Sequence, residues 1–228
     1  MQPSYLPWMG YFEMVDAVDV FVVLDHVQFV KKSWQQRNKI KTSSGVTTLT
    51  VSIQREKRDN LIKDVKISYD RNNPLVKHWK TISLSYKKTD FFNKYNHFFE
   101  KIYLTNFTYL RDLNVSLIKQ ICEILEIKTK IISSSELNYN KEKKGKNVDI
   151  ISLCKSVGIT SLYDAKGAEQ FLDKSLFLEN GIFLQFQEFN HPQYKQLWGK
   201  FEPYLSIIDL IFNEGENSLK IIKSGKTN

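Results

Sequence analysis

The chain has 228 residues, 42% hydrophobic and 25% charged, enough for one sizeable domain or two small ones with a real core, and too apolar for disorder at scale. Its net charge of +8 comes mostly from Lys and fits either a phosphate-bearing partner or a solvated Lys-rich surface. No apolar run approaches the roughly 20 residues of a membrane span, and the N-terminus lacks the basic and apolar regions of a signal peptide, so a cytoplasmic location is expected.

The opening MQPSYLPWMGYF packs prolines and aromatics ahead of a helix start at 8–16. Val20–Asp25 (VFVVLD) reads as a buried strand ending in an acid. Lys39–Thr42, a Ser-Ser-Gly turn and Val46–Ile53 read as a hairpin, and Asp64–Ser68 as a further strand. From Pro74 to about Ile127 the period is helical and aromatic-rich, predicting two or three packed helices. A short strand is expected at Ile131–Ser134, then a basic surface loop at 138–147. Asn147 is placed to cap a helix through Val157, ended by Gly158. Strands at Thr160–Tyr163 and Gly181–Phe186 and a helix over Pro203–Phe212 follow, with a frayed tail. The pattern predicts one α/β domain over 1–228, a mixed or parallel sheet flanked by helices, with a helical insertion at about 74–127. Cys122 and Cys154 lie in apolar helical patterns without metal-ligand spacing and read as buried free thiols, so no metal site is expected.

Four stretches gather polar groups beside rigid aromatics. In the first, Gln2, Tyr5, Trp8 and Tyr11 sit between residues stiffened by Pro3 and Pro7; they form either a ligand platform or an aromatic plug over the core. In the second, Asp25 and His26 fall at the carboxyl end of the VFVVLD strand, where open α/β sheets bind ligands. Gln28, Lys32, Trp34, Arg37 and Asn38 follow closely, offering groups for phosphate or sugar; a solvated strand end with Asp25 as a cap is the plainer alternative. In the third, His191 precedes a proline in a predicted loop with Tyr194 and Gln196 nearby. It is the best-placed general base of the four histidines, or else a satisfied structural residue. His78 and His97 lie in amphipathic helices and read as packing or surface residues. In the fourth, Ser206, Asp209 and Asn213 put a polar stripe on an apolar helix, which either bonds the protein's own loops or lines a site. GxGxxG, P-loop, HExxH and GxSxG motifs are missing.

QPSYLPWMGYF, DVFVVLDHVQFVKKSWQQRNKI, TSLYDAKGAEQFLD and FNHPQYKQLWGKFEPYLSIIDLIFNEG together resemble the WbqC-like family, in order and over nearly the whole chain. The resemblance implies a role in bacterial surface polysaccharide biosynthesis, in modifying an amino sugar while it is nucleotide-linked. N-acyl or aminoacyl transfer is the reaction it suggests, from an acyl-CoA or an aminoacyl-tRNA. It also implies a short apolar strand ahead of Gln2-Pro3, where this sequence has only Met1. On this reading His191 or Asp25 takes the amine proton. Lys32 and Arg37 hold the diphosphate, Gln28 and Asn213 orient substrate, and the aromatics near the start stack on a base or sugar ring. A fainter similarity, PWMGYF followed by a helix and VDVFVVLDHVQF, is to nucleotidylyltransferases and pantothenate synthetases. Trp8 and Tyr11 stand where that pattern has His and cannot carry its charge, so a shared fold would come without adenylyl transfer. The competing readings are an RNA- or tRNA-binding protein using its basic surface and a non-catalytic scaffold of polysaccharide assembly.

Overall fold

A computed structural model describes residues 1–55, 60–70, 73–138 and 145–227; most of the loop expected at 138–147 lies outside the described residues. The fold is α/β, with small parallel and antiparallel sheets set among helices. Helix α1 (Met9–Asp16) leads into strand β1 (Val20–Val23), whose β-branched and aromatic residues suit a buried strand. β1 pairs in parallel with β4 (Lys130–Ser133), in register from Val20↔Lys130 to Val23↔Ser133. Parallel neighbours need a long crossover. It is made by the hairpin β2 (Arg37–Thr42) and β3 (Gly45–Thr50) followed by the helices α2 (Pro74–Tyr86), α3 (Phe92–Tyr103) and α4 (Leu110–Ile124). α2 begins sharply because Asn73 accepts the Leu75 and Val76 N–H groups and Pro74 fills the first turn.

The second half forms a parallel pair of its own, β5 (Ser161–Asp164) and β6 (Phe183–Phe186), with α5 (Lys146–Val157) before it and the short α6 (Lys174–Glu179) inside it. α7 (Ile207–Glu214) and α8 (Ser218–Ser224) close the chain against the first half. The larger core is rich in aromatics: the Phe212 ring meets Tyr86, Phe92 and Phe99 with centroids 5.4, 5.1 and 5.4 Å away. A smaller core of Ile151, Cys154, Leu172, Phe177 and Ile182 lies under α5, α6, β5 and β6. Buried Glu13 stitches the two together, accepting Gln187 Nε2–H at 2.6 Å and Tyr163 O–H at 3.2 Å. Both cysteines are buried and free, and burial pushes the Cys122 thiol up to about 12 and Cys154 to about 11. Among the described residues no helix is long and apolar enough to cross a membrane.

Several elements differ from expectation for local reasons. Asp64–Ser68 makes no strand: a 3₁₀ turn at Ile62–Asp64 is followed by single bridges from Lys66 to Tyr109 and Ile67 to Ile53. α5 starts at Lys146, behind Gly145 rather than Asn147, whose side chain instead holds the Phe171 carbonyl and the Asp173 N–H. α7 starts only after Ser206, which caps it by accepting the Ile208 N–H. The tail is not frayed as far as Thr227, whose N–H donates to the Glu188 carbonyl at 3.0 Å, and α8 in front of it was not foreseen.

Candidate functional site

The N-terminal segment is threaded through the molecule and fixed at almost every peptide. Tyr5 N–H donates to the Trp34 carbonyl at 2.8 Å, and Asn114 Nδ2–H donates to the carbonyls of Pro3 and Gln35. Leu6 adopts φ 45, unusual for a bulky residue, and its carbonyl is held by Asn38 Nδ2–H at 2.6 Å. The Pro7 carbonyl accepts the Ile207 N–H at 2.8 Å. Gly10 lets the Trp8 indole fold back onto α1, because a Cβ at Gly10 would lie 2.2 Å from that ring. Gly10→Ala is therefore expected to drive the indole away and cost about 1–3 kcal/mol. Thermal melting and the Trp emission spectrum check this, and a variant that matches the parent in both would contradict the packing.

β1 ends at Leu24-Asp25-His26, beside the end of β4. Asp25 is fully buried, and both carboxylate oxygens are satisfied. Oδ1 accepts Ser134 Oγ–H and Ser135 N–H, each at 2.9 Å; Oδ2 accepts Ser135 Oγ–H at 2.6 Å and Arg111 Nε–H at 2.9 Å. Burial pushes the Asp25 carboxyl up, but the hydrogen bonds from Ser135 and Ser134 and the Arg111 charge together outweigh it and hold the group below its ordinary 3.8. Arg111 is itself anchored by Ser133, Asp112 and Glu136. His26 Nδ1 lies 2.5 Å from Ser134 Oγ. Ser134 Oγ also lies 2.9 Å from Asp25 Oδ1, so Asp25, Ser134 and His26 form one continuous hydrogen-bonded chain. The sequence Asp25–Ser134–His26 is a relay that fixes the orientation of the imidazole at a strand end.

His26 lies on the wall of a cleft of about 680 Å3, within the usual range for small-molecule sites. One side carries Gln2, Gln35 and Trp34 beside it; the other carries the α5 N-terminus at Gly145 and Lys146, with Asp149 and Asp164. Gly145 gives α5 no side-chain cap, and the start of that helix, at Gly145 and Lys146, lines the cleft. Gln35 Nε2–H donates to Gln2 Oε1 at 2.7 Å, pairing the two amides. Ser4 and Trp34 also line a second lobe of about 220 Å3, with Trp8, Tyr11, Asn38 and Tyr204. That lobe is aromatic, and half the surface of Trp34 and Tyr204 is exposed. The cleft therefore has an aromatic end and a polar end meeting at Trp34. Among the described residues no cluster of three or more His, Cys, Asp or Glu side chains is placed to hold a metal ion.

The residues singled out from sequence divide among three places. Gln2, Trp8, Tyr11, His26, Trp34 and Asn38 line the two-lobed cleft. Tyr5 does not: it is buried in the core, its hydroxyl 2.7 Å from His78 Nδ1 and 2.8 Å from the Tyr103 hydroxyl, so it cannot stack on a ligand. Burial pulls His78 down to about 4, keeping it neutral there. Gln28 and Lys32 are exposed and Arg37 sits in β2; none is among the residues lining the cleft.

The third place is a polar knot around α7. Asp209 accepts the Tyr86 hydroxyl at 2.8 Å and the Tyr194 hydroxyl at 2.9 Å, and Asn213 Nδ2–H donates to the Asp209 carbonyl. Buried Lys41 donates to Gln196 Oε1 at 2.8 Å and to the Lys200 carbonyl, while Gln196 Nε2–H donates to the Tyr194 hydroxyl. Of the two readings of the Ser206, Asp209 and Asn213 stripe, these bonds favour loop anchoring. His191 stacks against Trp8 at 6.0 Å, donates Nδ1–H to the Pro192 carbonyl and accepts the Tyr204 N–H on Nε2. Both its nitrogens are engaged, and burial holds it below its usual 6.5. It supports the aromatic lobe from behind.

Sequence reasoning missed Ser134, Ser135 and Arg111, which position His26, and Lys146, Asp149 and Asp164 across the cleft. The Ser run closing a second apolar strand was the available signal: two parallel strand ends side by side gather polar groups. Arg111, in the first turn of α4, left no such trace.

Comparison with known proteins agrees with this reading of relatedness. No solved structure matches the chain significantly. The chain is 33% identical over 218 residues to an uncharacterized protein of Mycobacterium tuberculosis, covering 94% of this chain and 92% of that one. The model of the WbqC-like protein family matches residues 2–221, so the chain belongs to the WbqC-like protein family.

Proposed function

We propose that the cleft binds a nucleotide-linked amino sugar and that the protein transfers an acyl or aminoacyl group to the sugar amine, as an enzyme of surface polysaccharide biosynthesis. The observation that carries this reading is the oriented imidazole of His26, held by Ser134 and Asp25 on the wall of a cleft with one aromatic and one polar end. An amine must be neutral to attack an acyl carbon, and a positioned imidazole serves that need. The C–N bond forms as the amine attacks; His26 takes the amine proton and returns it to the leaving group, a thiol from acyl-CoA or a ribose hydroxyl from aminoacyl-tRNA. The nucleobase stacks among Trp8, Trp34 and Tyr204. The diphosphate lies toward Lys146 and the first N–H groups of α5, in place of Lys32 and Arg37. Gln2 and Gln35 meet sugar hydroxyls.

Thermal melting against nucleotide-linked 3-amino and 4-amino sugars, their hydroxyl analogues, acyl-CoA, ATP and tRNA tests the assignment. An amino-sugar nucleotide at a hundred times its dissociation constant is expected to stabilise the fold by about 2.7 kcal/mol, with a smaller shift for the hydroxyl analogue. A shift with tRNA alone, lost in salt, would overturn it in favour of nucleic-acid binding.

A further inference from the structure

One carboxylate of the cleft is left unanswered by the protein's own groups. Asp149 lies in the first turn of α5 and lines the polar end. Its N–H donates to the Gly145 carbonyl at 3.1 Å, but its Oδ1 is buried and has no hydrogen-bond partner among the described residues. Buried carboxylate oxygens are almost always bonded, so an orphan on a cleft wall is an acceptor that a ligand can complete. Asp25 shows the ordinary condition, with both of its oxygens bonded. Ile150 and Leu153, which line the same cleft, carry no side-chain donor. Lys146, the one Lys or Arg among the lining residues, holds its ammonium over the Phe171 ring, 4.8 Å from the centroid. The other carboxylate at this end, Asp164, accepts the Ala165 N–H on Oδ1 at 2.8 Å. Asp149 as a whole is only partly buried, so a group entering the cleft can reach it.

A hydroxyl or amide donor would satisfy this oxygen and leave its charge unpaired. An ammonium answers both needs through a charge-assisted hydrogen bond. The sugar amine is the wrong occupant, because it must be neutral to attack and a carboxylate beside it favours the protonated form. The group that fits is one that stays protonated throughout. On the basis of the transfer reading of this cleft, on which it depends, we propose that Asp149 receives the α-ammonium group of an aminoacyl donor, so that the group transferred is an amino acid rather than a simple acyl chain. The C–N bond to the sugar amine forms and the ester C–O bond to the donor's ribose breaks. The amine proton passes through His26 to the ribose oxygen, and the α-ammonium keeps its protons on Asp149. Its positive charge makes the acyl carbon more electrophilic. Asp149 and His26 line the same cleft, so that carbon is held between the anchored ammonium and the amine that His26 serves. An acetyl or propionyl thioester has no group to give Asp149.

Calorimetric titration tests this with two stable analogues of a charged tRNA end, the glycyl and propionyl amides of 3′-amino-3′-deoxyadenosine. They differ only in an ammonium against a methyl group. The parent is expected to bind the glycyl amide about tenfold more tightly, the worth of one hydrogen bond to a charged group. In Asp149→Asn that preference is expected to vanish, while the propionyl amide binds as it does to the parent, which shows that the variant is folded. Equal affinities in the parent, binding of neither amide, or a preference that survives in Asp149→Asn would overturn the proposal. A nucleotide-linked amino sugar titrated into the parent separates this outcome from the transfer reading. Sugar binding with no ammonium preference removes the aminoacyl donor and keeps transfer to the sugar; an ammonium preference without sugar binding keeps the Asp149 site and removes transfer to that sugar.

Discussion

His26→Ala is expected to lower turnover of the amino-sugar nucleotide by about 10²–10⁴-fold, the usual contribution of a positioned general base, while the folded state persists. The imidazole is only partly buried, so the fold does not depend on it as it does on Asp25. Chemical rescue separates this role from a packing role: free imidazole is expected to restore part of the rate to His26→Ala and to leave the parent unchanged. Ser134→Ala tests the relay. It removes the hydroxyl that holds His26 Nδ1, so kcat falls, with KM little changed. His191→Ala is the contrasting variant: it removes a prop behind Trp8 and the acceptor of the Tyr204 N–H, raising KM through the aromatic lobe while kcat changes little. An unchanged rate in His26→Ala would remove His26 from the mechanism.

Asp25→Ala is expected to destabilise the protein by about 3–5 kcal/mol, the cost of removing one partner from a buried ion pair. For a chain of this size that corresponds to a fall in Tm of about 10 °C. The loss has several parts. Arg111 keeps Asp112 and Glu136 but loses its buried anion, and the Ser134 hydroxyl and the Ser135 N–H and hydroxyl lose their acceptors. The pH dependence has a definite sign. Because the folded carboxyl titrates below its ordinary 3.8, the stability it contributes is fully present above that value and is lost as pH falls through the lower folded value. The gap in Tm between parent and variant should therefore be wide at neutral pH and narrow below 3.8. A gap that persists undiminished in acid would show that Asp25 acts by packing rather than by charge.

What the sequence made legible was local. The VFVVLD run announced both a buried strand and a polar group at its carboxyl end, because a strand covered on both faces has to be apolar until it emerges. The helices of 74–127 were legible from their aromatic period. The stiffness of the opening segment was legible from Pro3 and Pro7, and Trp8 and Tyr11 do line the aromatic lobe. Tyr5, two residues from Pro7, went to the core instead, since nothing local distinguishes a Tyr whose hydroxyl finds His78 and Tyr103 from one facing a ligand. The relay was illegible for a related reason. Asp25, Arg111 and Ser134 are brought together by the crossover between β1 and β4, and spacing along the chain carries no record of which residues meet across it. Lys32 and Arg37 lie outside the cleft lining because closeness to a strand end in sequence is not closeness to its cleft in space.

The most direct measurement is the imidazole spectrum of protein labelled at its four histidines, titrated with a nucleotide-linked amino sugar. The account predicts that the His26 ring nitrogens shift strongly on binding, while buried His78 stays silent. A spectrum in which His26 stays fixed while the ligand binds and is turned over would contradict the account and move the chemistry elsewhere in the molecule.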